Sequence, residues 1–116
     1  GLQLDNYRIL TGIFPDDTAQ LVPDTRFRFC HIDVDVYQSA KDILSWVWPR
    51  MTPGGVVVYD DYGFCWCSGI AQHVEEQRHL ADGLLVYNLN GHALLIKIPT
   101  LTHLVGAMRR QGLLEK

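Results

Sequence analysis

Three features that would assign a protein quickly to a class are absent from this 116-residue sequence. No apolar run approaches the roughly 20 residues that a membrane span needs, so no membrane partner is expected. The net charge is −3, with no basic surplus that would favour nucleic acid. Three cysteines, an odd number in a chain that is not cysteine-dense, argue against a disulfide framework. No signal peptide opens the sequence, and we expect a cytoplasmic protein.

The sequence does contain enough apolar material for a folded protein. Hydrophobic residues make up 47% of the chain and charged residues 20%, a balance typical of globular domains. No repeat, low-complexity tract or linker divides the chain. We therefore expect a single domain over residues 1–116.

Strand and helix patterns alternate along the chain. Strands are predicted over residues 6–13, 26–32, 56–59, 84–89 and 92–98, and the hairpin signal Asn90-Gly91 joins the last two. Helices are predicted over residues 39–48 with Ser39 as the cap, over 68–80, and over 101–113, whose apolar stripe suits docking on the sheet or on a partner. This order predicts an α/β fold with flanking helices and a C-terminal antiparallel hairpin.

Two acidic pairs follow the two most apolar strands. Asp33 and Asp35 come after residues 26–32, and Asp60 and Asp61 come directly after residues 56–59. Ligands of open α/β sheets bind beyond the carboxyl ends of the strands, so these carboxylates are expected to converge. A divalent cation would relieve their repulsion, and oxygen donors favour Mg²⁺, Ca²⁺ or Mn²⁺.

We expect Asp33, Asp60 and Asp61 to be metal ligands, with Asp35 as a general base or a supporting carboxylate. The alternative is that these acids only end loops or cap the following helix. Tyr37 and Tyr62 flank the acids and are expected to line a substrate pocket, or else to pack at the end of the sheet. His31 lies inside an apolar run and is expected to be a hydrogen-bonded core histidine.

The linked acidic motifs resemble those of the macrocin O-methyltransferase (TylF-type) family, which belongs to the class I S-adenosylmethionine-dependent methyltransferases. The resemblance covers roughly residues 7 to 98. The shared segments are Gly12-Ile13-Phe14-Pro15-Asp16, His31-Ile32-Asp33-Val34-Asp35-Val36-Tyr37, Pro53-Gly54-Gly55 and Asp60-Asp61-Tyr62-Gly63.

The resemblance implies a Rossmann-like enzyme that uses S-adenosylmethionine and Mg²⁺ to methylate a hydroxyl of a sugar or natural-product small molecule. By the same resemblance Asp33, Asp60 and Asp61 bind the metal and Asp35 is the catalytic base. His31 and Asp33 are the residues that it implies for cofactor binding.

Only the C-terminal part of the family fold is matched. The family sheet has the strand order 3-2-1-4-5-7-6, and the strands predicted here correspond to strands 3, 4, 5, 6 and 7. No Gly-x-Gly turn precedes residue 30, so the isolated chain is expected to bind S-adenosylmethionine weakly at best and to be inactive. An exposed strand edge is expected to drive homodimerisation, or to accept residues 6–13 beside residues 26–32. The alternative function is a non-catalytic α/β assembly domain.

Overall fold

A four-stranded mixed sheet with three helices forms the structure, a computed structural model that describes residues 7–22 and 24–113. The strands are β1 (Phe27–Ile32), β2 (Met51–Tyr59), β3 (Gly83–Tyr87) and β4 (Ala93–Lys97). The helices are α1 (Tyr37–Val47), α2 (Ser68–Glu76) and α3 (Leu101–Arg110). Short 3-10 turns occupy Ala19–Leu21, Trp48–Arg50 and Gln77–His79.

The strand order in the sheet is β1-β2-β4-β3. The α1 crossover makes β1 and β2 parallel, with Ile32 opposite Tyr59. The hairpin of β3 and β4 then pairs antiparallel with β2 through β4. This order equals strands 4-5-7-6 of the family sheet, so the expected α/β fold with an antiparallel hairpin is confirmed.

The core lies between the sheet and the helices α1 and α2. Its centre is the strand β2, whose Val57 and Tyr59 are fully buried, together with Leu95 of β4. Ile70 and Val74 of α2 complete this apolar layer. The burial of alternate residues on β2 and β4 fixes the register of the sheet, because a slip of one residue would expose them all.

The buried end of β4 carries an ion pair. Lys97 is 6% exposed, and its Nζ lies 2.7 Å from Asp82 Oδ2 and donates to the Trp48 carbonyl. The Trp48 indole donates to the other oxygen of Asp82 at 3.0 Å. Burial alone would raise the pKa of Asp82, but the hydrogen bonds from Lys97 and Trp48 outweigh it and the pKa is lowered.

Helix α1 begins two residues earlier than predicted. Its N-cap is Val36, and the Ala40 amide already donates to the Val36 carbonyl at 3.2 Å. Ser39 therefore lies within the first turn and cannot cap the helix, so the prediction of a Ser39 cap is wrong. Asp42, its expected partner, accepts a hydrogen bond from Gln38 instead.

No strand forms over residues 7–13, and Asn6 lies outside the described residues. Ile9 and Ile13 are mostly exposed, and the Ile13 amide donates to Asp17 in a turn. The prediction of a strand here is wrong for the described part, because a strand needs a hydrogen-bonded neighbour and a covered apolar face. Among the described residues β1 pairs only with β2, so the alternative of residues 6–13 beside β1 is not formed over residues 7–13.

The last helix forms from Leu101 as predicted but ends at Arg110, three residues before the predicted end, and it is not buried. Thr100 caps α3 in a reciprocal box with His103. None of its residues is buried, and Leu101, Leu104 and Met108 are exposed, so the expectation of docking on the sheet is wrong. Docking on a partner stays a prediction. Across residues 7–22 and 24–113, no helix has the length and apolar character needed to cross a membrane.

Candidate active site

The parallel pairing of β1 and β2 brings the predicted acids together. The Asp60 amide donates to the Ile32 carbonyl at 3.0 Å, which extends the pairing one residue past the end of β2. Asp33 and Asp60 therefore leave adjacent strands at the same edge of the sheet. Asp33, Asp60 and Asp61 each offer a carboxylate oxygen within 4.8 Å of the other two.

Asp61 has one carboxylate oxygen without a hydrogen-bond partner among the described residues. Its Oδ2 atom is buried and has no hydrogen-bond partner there. Burial raises the pKa of Asp61, and the neighbouring carboxylates of Asp35, Asp60 and Asp33 raise it further, against a smaller lowering by His31. An unpaired buried oxygen beside three acids fits a hard divalent cation, because such a cation would complete its coordination and offset the repulsion.

Asp35 lies beside this cluster of three acids. It is exposed, and one of its oxygens lies within 4.8 Å of ligand atoms of Asp61 and Cys67. The Cys67 sulfur contacts Asp35 Oδ1 at 4.0 Å. Burial raises the pKa of the Cys67 thiol, with further increases from Asp61, Asp35 and Cys65, so the thiol stays neutral and acts as a weak donor.

Two histidines lie close to the same oxygen of Asp60. His31 Nε2 and His92 Nε2 each lie 3.1 Å from Asp60 Oδ1. The prediction of a core position for His31 is wrong, since its side chain is 45% exposed while the next residue, Ile32, is buried. The alternation of β1 turns Ile32 to the core and His31 to the opposite face. Its predicted hydrogen bond is present.

Sequence reasoning missed His92. The register Tyr59↔Ala93 places His92 next to Asp60 across the antiparallel pair β2–β4. The hairpin signal was visible in the sequence, but the pairing of β4 with β2 was needed to bring His92 to the acids. Only the family strand order, in which strand 7 neighbours strand 5, carried that information.

The two tyrosines that follow the acidic motifs are held by adjacent glutamates of α2. The Tyr37 hydroxyl donates to Glu76 Oε2 and the Tyr62 hydroxyl to Glu75 Oε1, each at 2.7 Å. Tyr62 also stacks on Tyr87, with the ring centroids 4.9 Å apart. Helix α2 therefore fixes the segments after both acidic pairs, while the role of Tyr37 and Tyr62 in lining a substrate pocket stays a prediction.

The loop after Asp61 is attached to the turn between β3 and β4. The Gly63 amide donates to the Gly91 carbonyl at 2.7 Å. A Cβ atom at Gly63 would lie 2.6 Å from the Gly91 Cα, so only glycine permits this approach. Gly91 itself has φ of +87°, a left-handed conformation that glycine adopts without strain.

Comparison with known proteins shows which protein family this sequence matches. Residues 1–91 match the family described as Macrocin-O-methyltransferase (TylF). The mycinamicin III 3''-O-methyltransferase of Micromonospora griseorubida is 30% identical over 91 residues, which cover 78% of this chain and 35% of that protein. The 8-demethyl-8-(2,3-dimethoxy-alpha-L-rhamnosyl)-tetracenomycin-C 4'-O-methyltransferase of Streptomyces olivaceus is 40% identical over 67 residues, which cover 58% of this chain and 25% of that protein.

The fold is also similar to solved methyltransferase structures. The O-methyltransferase NovP superposes with a TM-score of 0.56 at 27% sequence identity, covering 72% of this chain and 35% of that chain. The chain thus spans about a third of the length of the relatives that it matches.

Proposed function

Because the chain belongs to the macrocin O-methyltransferase (TylF) family, we propose that it carries the metal-binding and acceptor-binding part of an S-adenosylmethionine-dependent O-methyltransferase. The acceptor would be a hydroxyl of a sugar or natural-product small molecule. The names of the relatives support this class, since one is a methyltransferase of mycinamicin III and another of a rhamnosyl-tetracenomycin.

The single observation that carries the proposal is the convergence of Asp33, Asp60 and Asp61 around the unpartnered Asp61 Oδ2. These three carboxylates would hold Mg²⁺. When bound, Mg²⁺ supplies a Lewis acid that makes a coordinated hydroxyl more acidic. The all-oxygen donor set matches the preference of this ion, and the exposed position of Asp33 leaves the site open to an acceptor.

The remaining site residues would handle the acceptor and the methyl donor. S-Adenosylmethionine supplies an electrophilic methyl group. His31 and Asp33, at the end of β1, would contact this cofactor, and Tyr37 and Tyr62 would form side walls for the acceptor. Asp35, exposed beside Asp61, would accept the proton of the acceptor hydroxyl on a carboxylate oxygen.

Cation binding is the first test of this function. Mn²⁺, whose free form is measured by electron paramagnetic resonance, should bind the chain at one site and be displaced by Mg²⁺. Asp33→Asn and Asp60→Asn should each weaken binding by at least about tenfold. Asp24→Asn, at an exposed loop position, is the matched control. A folded chain that binds no Mn²⁺, or an Asp33→Asn variant with unchanged affinity, would contradict the proposal.

Methyl transfer is the second test. Because the isolated chain is expected to be inactive, it is joined behind the N-terminal part of a family relative, and this fusion is incubated with S-adenosylmethionine and a panel of glycosylated natural products. Mass spectrometry is used to detect acceptors that have gained one methyl group. Transfer should be abolished by EDTA and reduced by Asp35→Asn. Transfer that persists in EDTA would exclude the metal-assisted mechanism.

A non-catalytic assembly domain is the second candidate, and one observation favours it. Among the described residues the outer edge of β1 has no paired strand, and Phe29 on this strand is 63% exposed. A long apolar edge favours pairing with another strand. We propose that two copies of the chain associate through this edge, whether or not the site is catalytic. A chain that dimerises but transfers no methyl group and binds no metal would favour the assembly function.

A further inference from the structure

The turn between β3 and β4 contacts the acidic site at two points. His92 Nε2 lies 3.1 Å from Asp60 Oδ1, and the Gly91 carbonyl accepts from the Gly63 amide. The first contact reaches a proposed metal ligand, and the second reaches the loop that follows Asp61. The turn therefore contacts Asp60 itself and the loop that follows Asp61.

Hydrogen bonds with Asn88 fix the tautomer of the His92 ring. Asn88 Oδ1 accepts from the amides of Asn90 and His92, at 3.0 and 2.9 Å. These bonds define which end of the Asn88 amide is oxygen, so its Nδ2 faces His92 Nδ1 at 3.0 Å. An amide nitrogen only donates, and Nδ1 must therefore accept. The ring proton of neutral His92 then lies on Nε2, which is the atom 3.1 Å from Asp60 Oδ1.

This arrangement determines which oxygen of Asp60 is free. His31 Nε2 is hydrogen-bonded to Oδ1, and His92 Nε2 lies 3.1 Å from the same atom, so Oδ2 is the oxygen left for a ligand. The His92 side chain is 32% exposed, so the imidazole is not part of the hydrophobic core. The backbone bond from the Asn88 amide to the His92 carbonyl closes the turn without the imidazole.

We infer that His92, held by Asn88 in its Nε2-protonated form, is a positioning residue that orients Asp60 toward the cation. The inference rests on the proposed function, because it assigns a task at the same metal site. Residues that contact a metal-ligating side chain on the side away from the metal orient that side chain before the metal binds. Their loss commonly lowers metal affinity 10- to 100-fold.

The experiment compares two substitutions at His92 by Mn²⁺ titration. His92→Gln keeps an N–H donor in reach of Asp60, whereas His92→Leu removes it. We expect His92→Leu to weaken Mn²⁺ binding by about tenfold and His92→Gln to remain close to wild type. His79→Leu, an exposed histidine on the Gln77–His79 turn, is the matched control. Thermal unfolding without metal should be similar for the two His92 variants, so that lost affinity is not lost folding.

A second measurement applies even if a variant fails to fold. Nitrogen-15 NMR of the wild-type imidazole should show Nε2 protonated and Nδ1 bare. Asn88→Asp should place a proton on Nδ1, because a carboxylate can only accept there. A wild-type His92 with protonated Nδ1 would overturn the inference, as would full Mn²⁺ affinity in His92→Leu.

Failure of the proposed function has a different signature. If the wild-type chain is folded but binds no Mn²⁺, the metal site is wrong, and the NMR measurement alone then decides whether Asn88 and His92 hold Asp60. If Asp33→Asn loses Mn²⁺ but His92→Leu does not, the metal site stands and the role of His92 is refuted.

Discussion

The Tyr62 hydroxyl donates a 2.7 Å hydrogen bond to Glu75, and this bond joins the loop after the second acidic pair to helix α2. Glu75 also accepts from Arg78 and from Tyr87. The hydrogen bonds from Arg78, then from Tyr62 and Tyr87, lower the pKa of Glu75 to about 2. The ionised Glu75 carboxylate thus holds Tyr62, Arg78 and Tyr87 together beside the acidic site.

Glu75 makes the free energy of unfolding depend on pH in the acidic range. Its folded pKa lies below the ordinary value of 4.5, so its contribution is full above pH 4.5 and is lost as the pH falls toward about 2. The free energy of unfolding of Glu75→Gln should therefore fall less steeply over this window than that of wild type. The difference should be modest, since Glu75 is 42% exposed and solvent screens its interactions. Denaturant titrations at several pH values measure it, and equal slopes would contradict it.

Substitution of Asp61 should separate stability from metal binding. Asp61→Asn removes a charge that burial and three neighbouring carboxylates disfavour, so the metal-free protein should unfold at a higher temperature. The same change should remove Mn²⁺ binding. Differential scanning calorimetry with and without Mn²⁺ is the measurement.

The pH dependence of Asp61 has the opposite sign to that of Glu75. Its folded pKa is raised above 3.8, so the metal-free wild type should lose stability as the pH rises through that raised pKa. Asp61→Asn should abolish this loss. If Asp61→Asn is less stable than wild type without metal, the Asp61 charge is stabilising in the folded protein, which would contradict this prediction.

Gly63→Ala should damage the site through the backbone. Its new Cβ would lie 2.6 Å from the Gly91 Cα, and one of the two loops must move. We expect a destabilisation of about 1–3 kcal/mol, typical of overpacking, together with weaker Mn²⁺ binding. Gly106→Ala, within α3 and with only the end of Arg110 nearby, is the control and should stabilise by about 0.5–1 kcal/mol. Unfolding in urea compares the two, and a neutral Gly63→Ala would show that the loops separate freely.

Lys97→Met should leave Asp82 without its cation. Removal of one partner of a buried pair is expected to cost about 3 kcal/mol, since the remaining charge stays desolvated. The double variant Lys97→Met with Asp82→Leu should recover part of this loss, although the Trp48 indole then loses its acceptor. A double-mutant cycle by urea unfolding gives the coupling free energy, and a value near zero would refute the pairing.

Phe29→Lys tests the proposed dimer. A charge on the outer face of β1 should oppose association through this edge, so light scattering should show a dimer for wild type and a monomer for the variant. Leu101→Lys, on the exposed face of α3, distinguishes the two apolar surfaces. A wild-type monomer, or a dimer broken only by Leu101→Lys, would contradict association through β1.

The sequence predicted the parts of the fold that local pattern and turn chemistry determine. The apolar runs gave β1 and β2, and Asn90-Gly91 gave the hairpin, because alternation and turn residues are local properties. The convergence of Asp33, Asp60 and Asp61 was predictable because parallel strands present their carboxyl ends at one edge, while their role as metal ligands stays a prediction.

What the sequence could not predict depends on contacts between distant segments. The apolar pattern of residues 6–13 predicts a strand, but a strand exists only where another strand accepts its hydrogen bonds, and residues 7–13 have no such neighbour. The burial of His31 was misjudged because an apolar run does not reveal which residues of an edge strand face the core. His92 was missed because it lies 32 positions after Asp60 in the sequence, and only the sheet order brings the two residues together.

The parallel pairing of β1 and β2 also has a consequence for the order of folding. Ile32 and Tyr59 pair in the sheet although the whole α1 crossover lies between them in the sequence. The strands β3 and β4, in contrast, are separated only by a short turn. Contacts between near residues close a small loop and form early, while distant ones wait for the larger loop to close. The hairpin that carries His92 is therefore expected to exist before Asp33 and Asp60 meet, so that the acids assemble against a support already in place.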